Sequence, residues 1–136
     1  MISKKIIRVA AAVLENEKNE ILFSTRKMPD GNIMWEFPGG KIEAGESAAI
    51  AAKRELAEEL ALEIYPADTM YITTYSYPDK TVELNFVRCF CFDYSTVKML
   101  DNQQIKWCSA NDMDIAQVLP ADQDFLEFLR LRTIKS

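Results

Sequence analysis

The 136-residue sequence contains no histidine. That absence removes Ser-His-Asp and Cys-His nucleophile chemistry and every His-containing metal site, leaving acid-base work near neutral pH to carboxylates, Lys, Tyr or water. Long hydrophobic runs are missing too. No apolar stretch approaches the ~20 residues of a membrane span, and Val9 to Leu14, behind Lys4, Lys5 and Arg8, is too short for a signal h-region and meets Glu15 at once. Positive charge is in deficit: 21 acidic against 16 basic residues give a net charge of −5. A polymeric nucleic acid needs a basic patch, so such a partner is not expected, whereas a cationic cofactor suits this balance. Cysteine is scarce and odd in number. Cys89, Cys91 and Cys108 read as buried free thiols of a reducing compartment, and a cytoplasmic protein without membrane attachment is expected.

Glycine is scarce and confined. Gly31, Gly39, Gly40 and Gly45 are the only four in the chain, so backbone freedom is concentrated in one loop. Before that loop, Ile6 to Leu14 and Glu20 to Thr25 read as strands joined by the polar turn Glu15-Asn16-Glu17-Lys18-Asn19. After it, Ser47 to Leu60 reads as a helix, rich in alanine, with Ile50, Leu56 and Leu60 as an apolar stripe. Thr69 to Tyr77 and Val82 to Phe92 flank Pro78-Asp79-Lys80 as a hairpin, the second strand alternating Val82, Leu84 and Phe86 with Thr81, Glu83 and Asn85. Ile105 to Cys108 reads as a short strand and Asp122 to Arg132 as a closing helix. With 49% apolar and 27% charged residues, the composition fits a single domain over 1–136 with one core, an α/β fold whose mixed sheet carries helices on its faces.

The chemistry concentrates on the first helix. Glu55, Glu58 and Glu59 stand at i, i+3 and i+4, on one helical face, where like charges repel by a few tenths of a kcal/mol per pair. Arg54, one turn before Glu58, offsets part of that. Three glutamates alone also describe a solvated acidic stripe. Upstream, however, lies Glu36-Phe37-Pro38-Gly39-Gly40-Lys41, with Glu46 between it and the helix. Carboxylates beside a loop that exposes backbone carbonyls form a site for a hard divalent cation, which prefers oxygen ligands and shares them with substrate phosphates. The implied chemistry is water attack on a metal-bound phosphoryl group, one carboxylate accepting the proton.

Gly40, five intervening residues, Glu46, seven more, then Arg54-Glu55-Leu56-Ala57-Glu58-Glu59-Leu60-Ala61-Leu62 resembles the Nudix box of hydrolases acting on nucleoside diphosphates linked to another moiety. One position departs: Ala61 stands where the family usually has glycine, a position that shapes the helix end. Trp35 to Lys41, Pro78-Asp79-Lys80, Trp107-Cys108-Ser109 and Leu119-Pro120-Ala121-Asp122 extend the likeness to the MutT-type branch, the small nucleoside triphosphate pyrophosphohydrolases. The resemblance implies an α/β/α sandwich, Mg²⁺ or Mn²⁺ dependence, and hydrolysis of a nucleoside triphosphate to monophosphate and pyrophosphate, with 8-oxo-dGTP or a cytidine nucleotide as candidate substrates. It also implies site residues. Glu55, Glu58 and Glu59 would be catalytic and metal-binding, with the Gly40 carbonyl and Asp101 as further metal ligands. Arg54 would orient the glutamates, and Glu46 would brace the loop through backbone N–H groups. Lys27, Glu36, Phe37, Lys80 and Asp122 would meet the nucleotide, Asp122 facing the base or, alternatively, capping the last helix. Other expectations kept open are a nucleotide sugar or dinucleotide polyphosphate as substrate, a non-catalytic nucleotide-binding module, and a monomeric or homodimeric state.

Overall fold

The computed structural model describes residues 4–135, with side chains as far as residue 132. In chain order the elements are β1 (Lys5–Leu14), β2 (Ile21–Lys27), β3 (Ile33–Glu36), β4 (Gly39–Lys41), α1 (Ala48–Leu60), β5 (Tyr65–Ser76), β6 (Lys80–Phe90), β7 (Ile105–Cys108) and α2 (Pro120–Lys135). They form two sheets, ordered β4-β1-β6-β5 and β3-β2-β7. β1 and β6 run parallel and all other pairings are antiparallel.

β1 explains the layering. Its last five residues are all buried, and side chains alternate across a strand, so both of its faces must be covered. Ala10, Ala12 and Leu14 pack with Leu22, Val87 and, from α1, Ala51, Ala52, Leu56 and Leu60. Ala11 and Val13 pack on the other side with Phe23, Phe37, Phe86 and, from α2, Phe125, Leu126 and Leu129. The second layer is aromatic: Phe37 lies 4.9 Å from Phe23, 5.6 Å from Phe86 and 5.1 Å from Phe125 by ring centroids. The expected α/β/α sandwich with a mixed sheet is present, but the one expected core is two layers separated by the sheet.

Several expectations need correction. The glycine-bearing segment is not all loop, since it contains β3 and β4. A Cβ at Gly39 would run into the Ala10 carbonyl, so the β4–β1 pairing needs glycine there. β1 and β2 lie in different sheets, joined by the single bridge Glu15–Ile21. Ile50 faces solvent, because the small Ala51 and Ala52 let α1 sit close on β1 and take the buried positions. Asn85, expected on a polar face, is buried and donates from Nδ2 to the Val9 carbonyl at 3.3 Å and to Glu83 at 3.2 Å. α2 starts at Pro120 rather than Asp122, since proline loses no hydrogen bond in the first helical turn. Cys89 is buried whereas Cys91 and Cys108 are only partly so, and all three are free. Among the described residues no helix is long and apolar enough to cross a membrane.

Candidate active site

The site forms where the loop after β4 enters α1. Ser47 caps the helix, its hydroxyl accepting the Ile50 N–H at 3.1 Å. A Cβ on Gly40 would come within 2.6 Å of both Glu55 carboxylate oxygens, so glycine lets the β4 backbone lie against that side chain where it stands, and a larger residue would displace the carboxylate. Arg54 ties the loop to the helix. Its Nε and Nη2 meet the two carboxylate oxygens of Glu46 at 2.7 and 2.9 Å, Nη2 reaches the Lys41 carbonyl at 2.9 Å, and Nη1 donates to Glu55 at 2.9 Å and Glu58 at 3.2 Å. Glu46 also accepts the Glu43 N–H at 2.9 Å. Hydrogen bonds from Arg54 first, and from Glu43, hold the Glu46 carboxyl at about 2. Glu46 thus spans loop and guanidinium.

Glu59 is pushed up to about 8, first by burial, then by the charge and hydrogen bond of Glu55, and next by Glu36, with Arg26 acting in the opposite sense. Glu36 is paired with Arg26 at 3.0 Å, yet burial raises its carboxyl as well. Asp122 is buried in the first turn of α2, 3% exposed, where its Oδ2 accepts the Phe37 N–H at 3.0 Å. Burial, then the charge of Glu36, pushes Asp122 up to about 8. The charges of Arg26 and Glu36 act on both Glu59 and Asp122, so the pair links the Glu55–Glu59 end electrostatically to Asp122.

The structure departs from the expected site in several places. Asp122 is no helix cap, because α2 begins two residues earlier and its Oδ2 accepts from Phe37 instead. The Phe37 ring belongs to the core, so that residue offers its backbone N–H rather than a side chain. Lys27 is exposed at the end of β2, opposite Ile33, and by alternation projects away from the face of Arg26. Lys80 lies 5.4 Å over the Tyr77 ring, and Tyr77 in turn feels the charge of Asp122. Asp101 is exposed on the loop that closes over the end of α1. Arg26 is the residue that reading by motif missed. The available signal was strand parity, since Arg26 shares the side of Leu22, which α1 covers.

The donor set suits a hard divalent cation. It is all oxygen, burial and the neighbouring Glu55 raise the Glu59 carboxyl, and Gly40 leaves the backbone open beside them. Among the described residues no three carboxylates already form a ligating cluster, since Glu58 is 61% exposed and held by Arg54. The family model for the NUDIX domain matches residues 5–130. The chain belongs to the Nudix family. It is 30% identical over 132 residues to the CTP pyrophosphohydrolase of Escherichia coli (strain K12), covering 96% of this chain and 97% of the relative. It is 39% identical over 84 residues to the 8-oxo-dGTP diphosphatase of Haemophilus influenzae, covering 61% and 62%. The solution structure of the E. coli ORF135 protein superimposes with a TM-score of 0.80 at 31% identity, covering 95% of this chain and 92% of that one. The crystal structure of MutT protein from Methanosarcina mazei Go1 shares the fold, with a TM-score of 0.80 at 23% identity over 98% and 99% of the two chains. With its three box glutamates in place, this Nudix chain is a hydrolase.

Proposed function

We propose that this Nudix hydrolase converts a nucleoside triphosphate to nucleoside monophosphate and pyrophosphate, with Mg²⁺ or Mn²⁺, in cytoplasmic nucleotide-pool cleansing. The observation that carries this reading is the electrostatic linkage of the Glu55–Glu59 end to the buried Asp122 through Arg26 and Glu36. One end suits a polyphosphate and the other a base. Gly40 through its carbonyl, Glu55, Glu58, Glu59 and Asp101 would hold the cation. When bound, the cation neutralises phosphate charge and activates water. Arg54 holds Glu55 and Glu58 in place while Glu46 fixes Arg54, and one of the helix carboxylates takes the proton of the attacking water. Lys80, beside Tyr77, would meet the nucleotide as a basic residue.

Asp122 bears on the choice of base. In this reading Oδ2 stays with Phe37 and the other oxygen meets the base. Protonated, that oxygen donates and meets an acceptor such as the O6 of an oxidised guanine. Ionised, it accepts from an amino group such as N4 of cytosine. A carboxyl titrating at about 8 therefore favours 8-oxo-dGTP below that pH and a cytidine nucleotide above it. The test is the ratio of kcat/KM for CTP to that for 8-oxo-dGTP between pH 6 and 9. We expect it to rise with pH in the parent and to flatten in Asp122→Asn. A ratio independent of pH in the parent contradicts the role given to Asp122, and absence of pyrophosphate from every triphosphate contradicts the activity.

A further inference from the structure

The last turn of α1 is finished by residues far along the chain. The final carbonyls of a helix have no partner within it, and here the segment from the end of the 3-10 turn Tyr94–Thr96 to Gln103 supplies them. The Glu59 carbonyl accepts from the Leu100 N–H and from Gln103 Nε2, both at 3.1 Å. The Leu60 carbonyl accepts the Lys98 N–H at 2.8 Å, and that of Ala61 accepts the Thr96 hydroxyl at 3.0 Å.

Gln103 differs from the rest because both ends of its carboxamide are used. While Nε2 donates to Glu59, Oε1 accepts the Asp101 N–H at 2.9 Å. Asn102 between them has φ 59°, a left-handed conformation that asparagine tolerates, and this folds Gln103 back over Asp101. The next residue continues the chain of contacts. Gln104 N–H donates to the Thr25 hydroxyl at 2.8 Å and its carbonyl accepts the Thr25 N–H at 2.9 Å, immediately before Arg26. Lys98 and Thr96 grip the helix beyond its last carboxylate, whereas Gln103 grips the residue that carries it.

We propose that Gln103 is a positioning residue of the active site, its carboxamide holding the backbones of Glu59 and Asp101 at a fixed separation so that both carboxylates present to a divalent cation together. This rests on the reading of the site as a metal-dependent hydrolase. Gln103→Ala removes both bonds. Gln103→Glu retains an acceptor for Asp101 but loses the donor to Glu59 and sets a carboxylate against its carbonyl, so it tests the Glu59 bond separately.

The experiment uses the full chain and three measurements on the parent and both variants: amide hydrogen exchange without metal, Mn²⁺ binding without nucleotide, and steady-state kinetics. In Gln103→Ala we expect faster exchange at the Asp101 amide, Mn²⁺ affinity and kcat each lower by about tenfold, the scale for removing a group that orients a ligand, and KM for nucleotide little changed. In Gln103→Glu the Asp101 amide should remain protected while Mn²⁺ affinity falls. A parent that binds Mn²⁺ and turns over, with a Gln103→Ala variant that keeps its Mn²⁺ affinity and kcat, overturns the proposal alone, even if Asp101 exchanges faster. Unchanged exchange at Asp101 in Gln103→Ala overturns it too. A parent that neither binds Mn²⁺ nor hydrolyses any nucleotide overturns the hydrolase reading and the proposal with it.

Discussion

At the scale of single residues, the site is a set of carboxylates each given a different environment by its neighbours. Glu46 is held ionised by Arg54, Glu59 is held protonated by burial and by Glu55, and Asp122 is held protonated by burial and by Glu36. The differences set the outcome of substitution. Glu59→Gln keeps the side-chain size and its ability to bond Glu55 but removes a charge that a cation requires, so kcat should fall by several orders of magnitude. The same variant relieves a buried carboxyl, so its metal-free Tm at pH 8 should equal or exceed that of the parent. A large loss of Tm in thermal melts would show that Glu59 serves the fold instead. The three helix glutamates, Arg54 and Gly40 were legible in the sequence because a helical face and a fixed gap are local properties. Arg26 was legible only in part: its strand was expected to end at Thr25, and its face is known once α1 is known to cover that side of β2. The enclosure of Asp122 was not legible, because it depends on Phe37, 85 positions away in the chain.

At the scale of elements, the end of α1 is where this chain departs from the family pattern. Ala61 adopts φ 54°, ψ 32°, and its N–H closes the helix on the carbonyls of Ala57 and Leu56. An L-residue in that conformation carries a penalty of about 1 kcal/mol that glycine avoids. Ala61→Gly should therefore stabilise the protein by up to about 1 kcal/mol in denaturant unfolding, less the greater chain entropy of glycine. It should leave the pairings at Glu59, Leu60 and Ala61 intact. A destabilised Ala61→Gly would mean that the Ala61 methyl makes contacts that outweigh the strain. The main elements followed from pattern: β1 from its apolar run, α1 from alanine and its cap, and β5 with β6 from aromatic and β-branched content. β3 and β4 did not. They are four and three residues long, too short to show a period, and they flank Pro38, while β4 itself holds the paired glycines that locally argue for a turn. What makes β4 a strand is the neighbouring β1, a contact that no local window contains.

At the scale of the whole molecule, the buried acids set the dependence of stability on pH. Glu59 and Asp122 have ordinary values of 4.5 and 3.8, and both are raised to about 8 in the folded state. Below about pH 4 both are protonated whether folded or not. Between there and about pH 8 the unfolded chain has released these protons while the folded chain retains them, so stability falls as pH rises through this window. Glu46, lowered to about 2 from its ordinary 4.5, contributes stability that is gained as pH rises to about 5 and is constant above, so it does not mask the slope between pH 5 and 8. Melts of the metal-free protein should show a decline in Tm from pH 5 to 8, smaller in Asp122→Asn. Millimolar Mg²⁺ should raise Tm most at the upper end, where the Glu59 proton is easiest to displace, because a cation that binds only the folded state stabilises it by linkage. A metal-free Tm that rises from pH 5 to 8 would contradict the placement of both acids. The most direct test of the central claim is phosphorus NMR of the products formed from CTP and from 8-oxo-dGTP with Mg²⁺. Pyrophosphate and the nucleoside monophosphate, formed by the parent and lost in Glu59→Gln, are the predicted result; inorganic phosphate with a nucleoside diphosphate, or no turnover of either nucleotide, would contradict it.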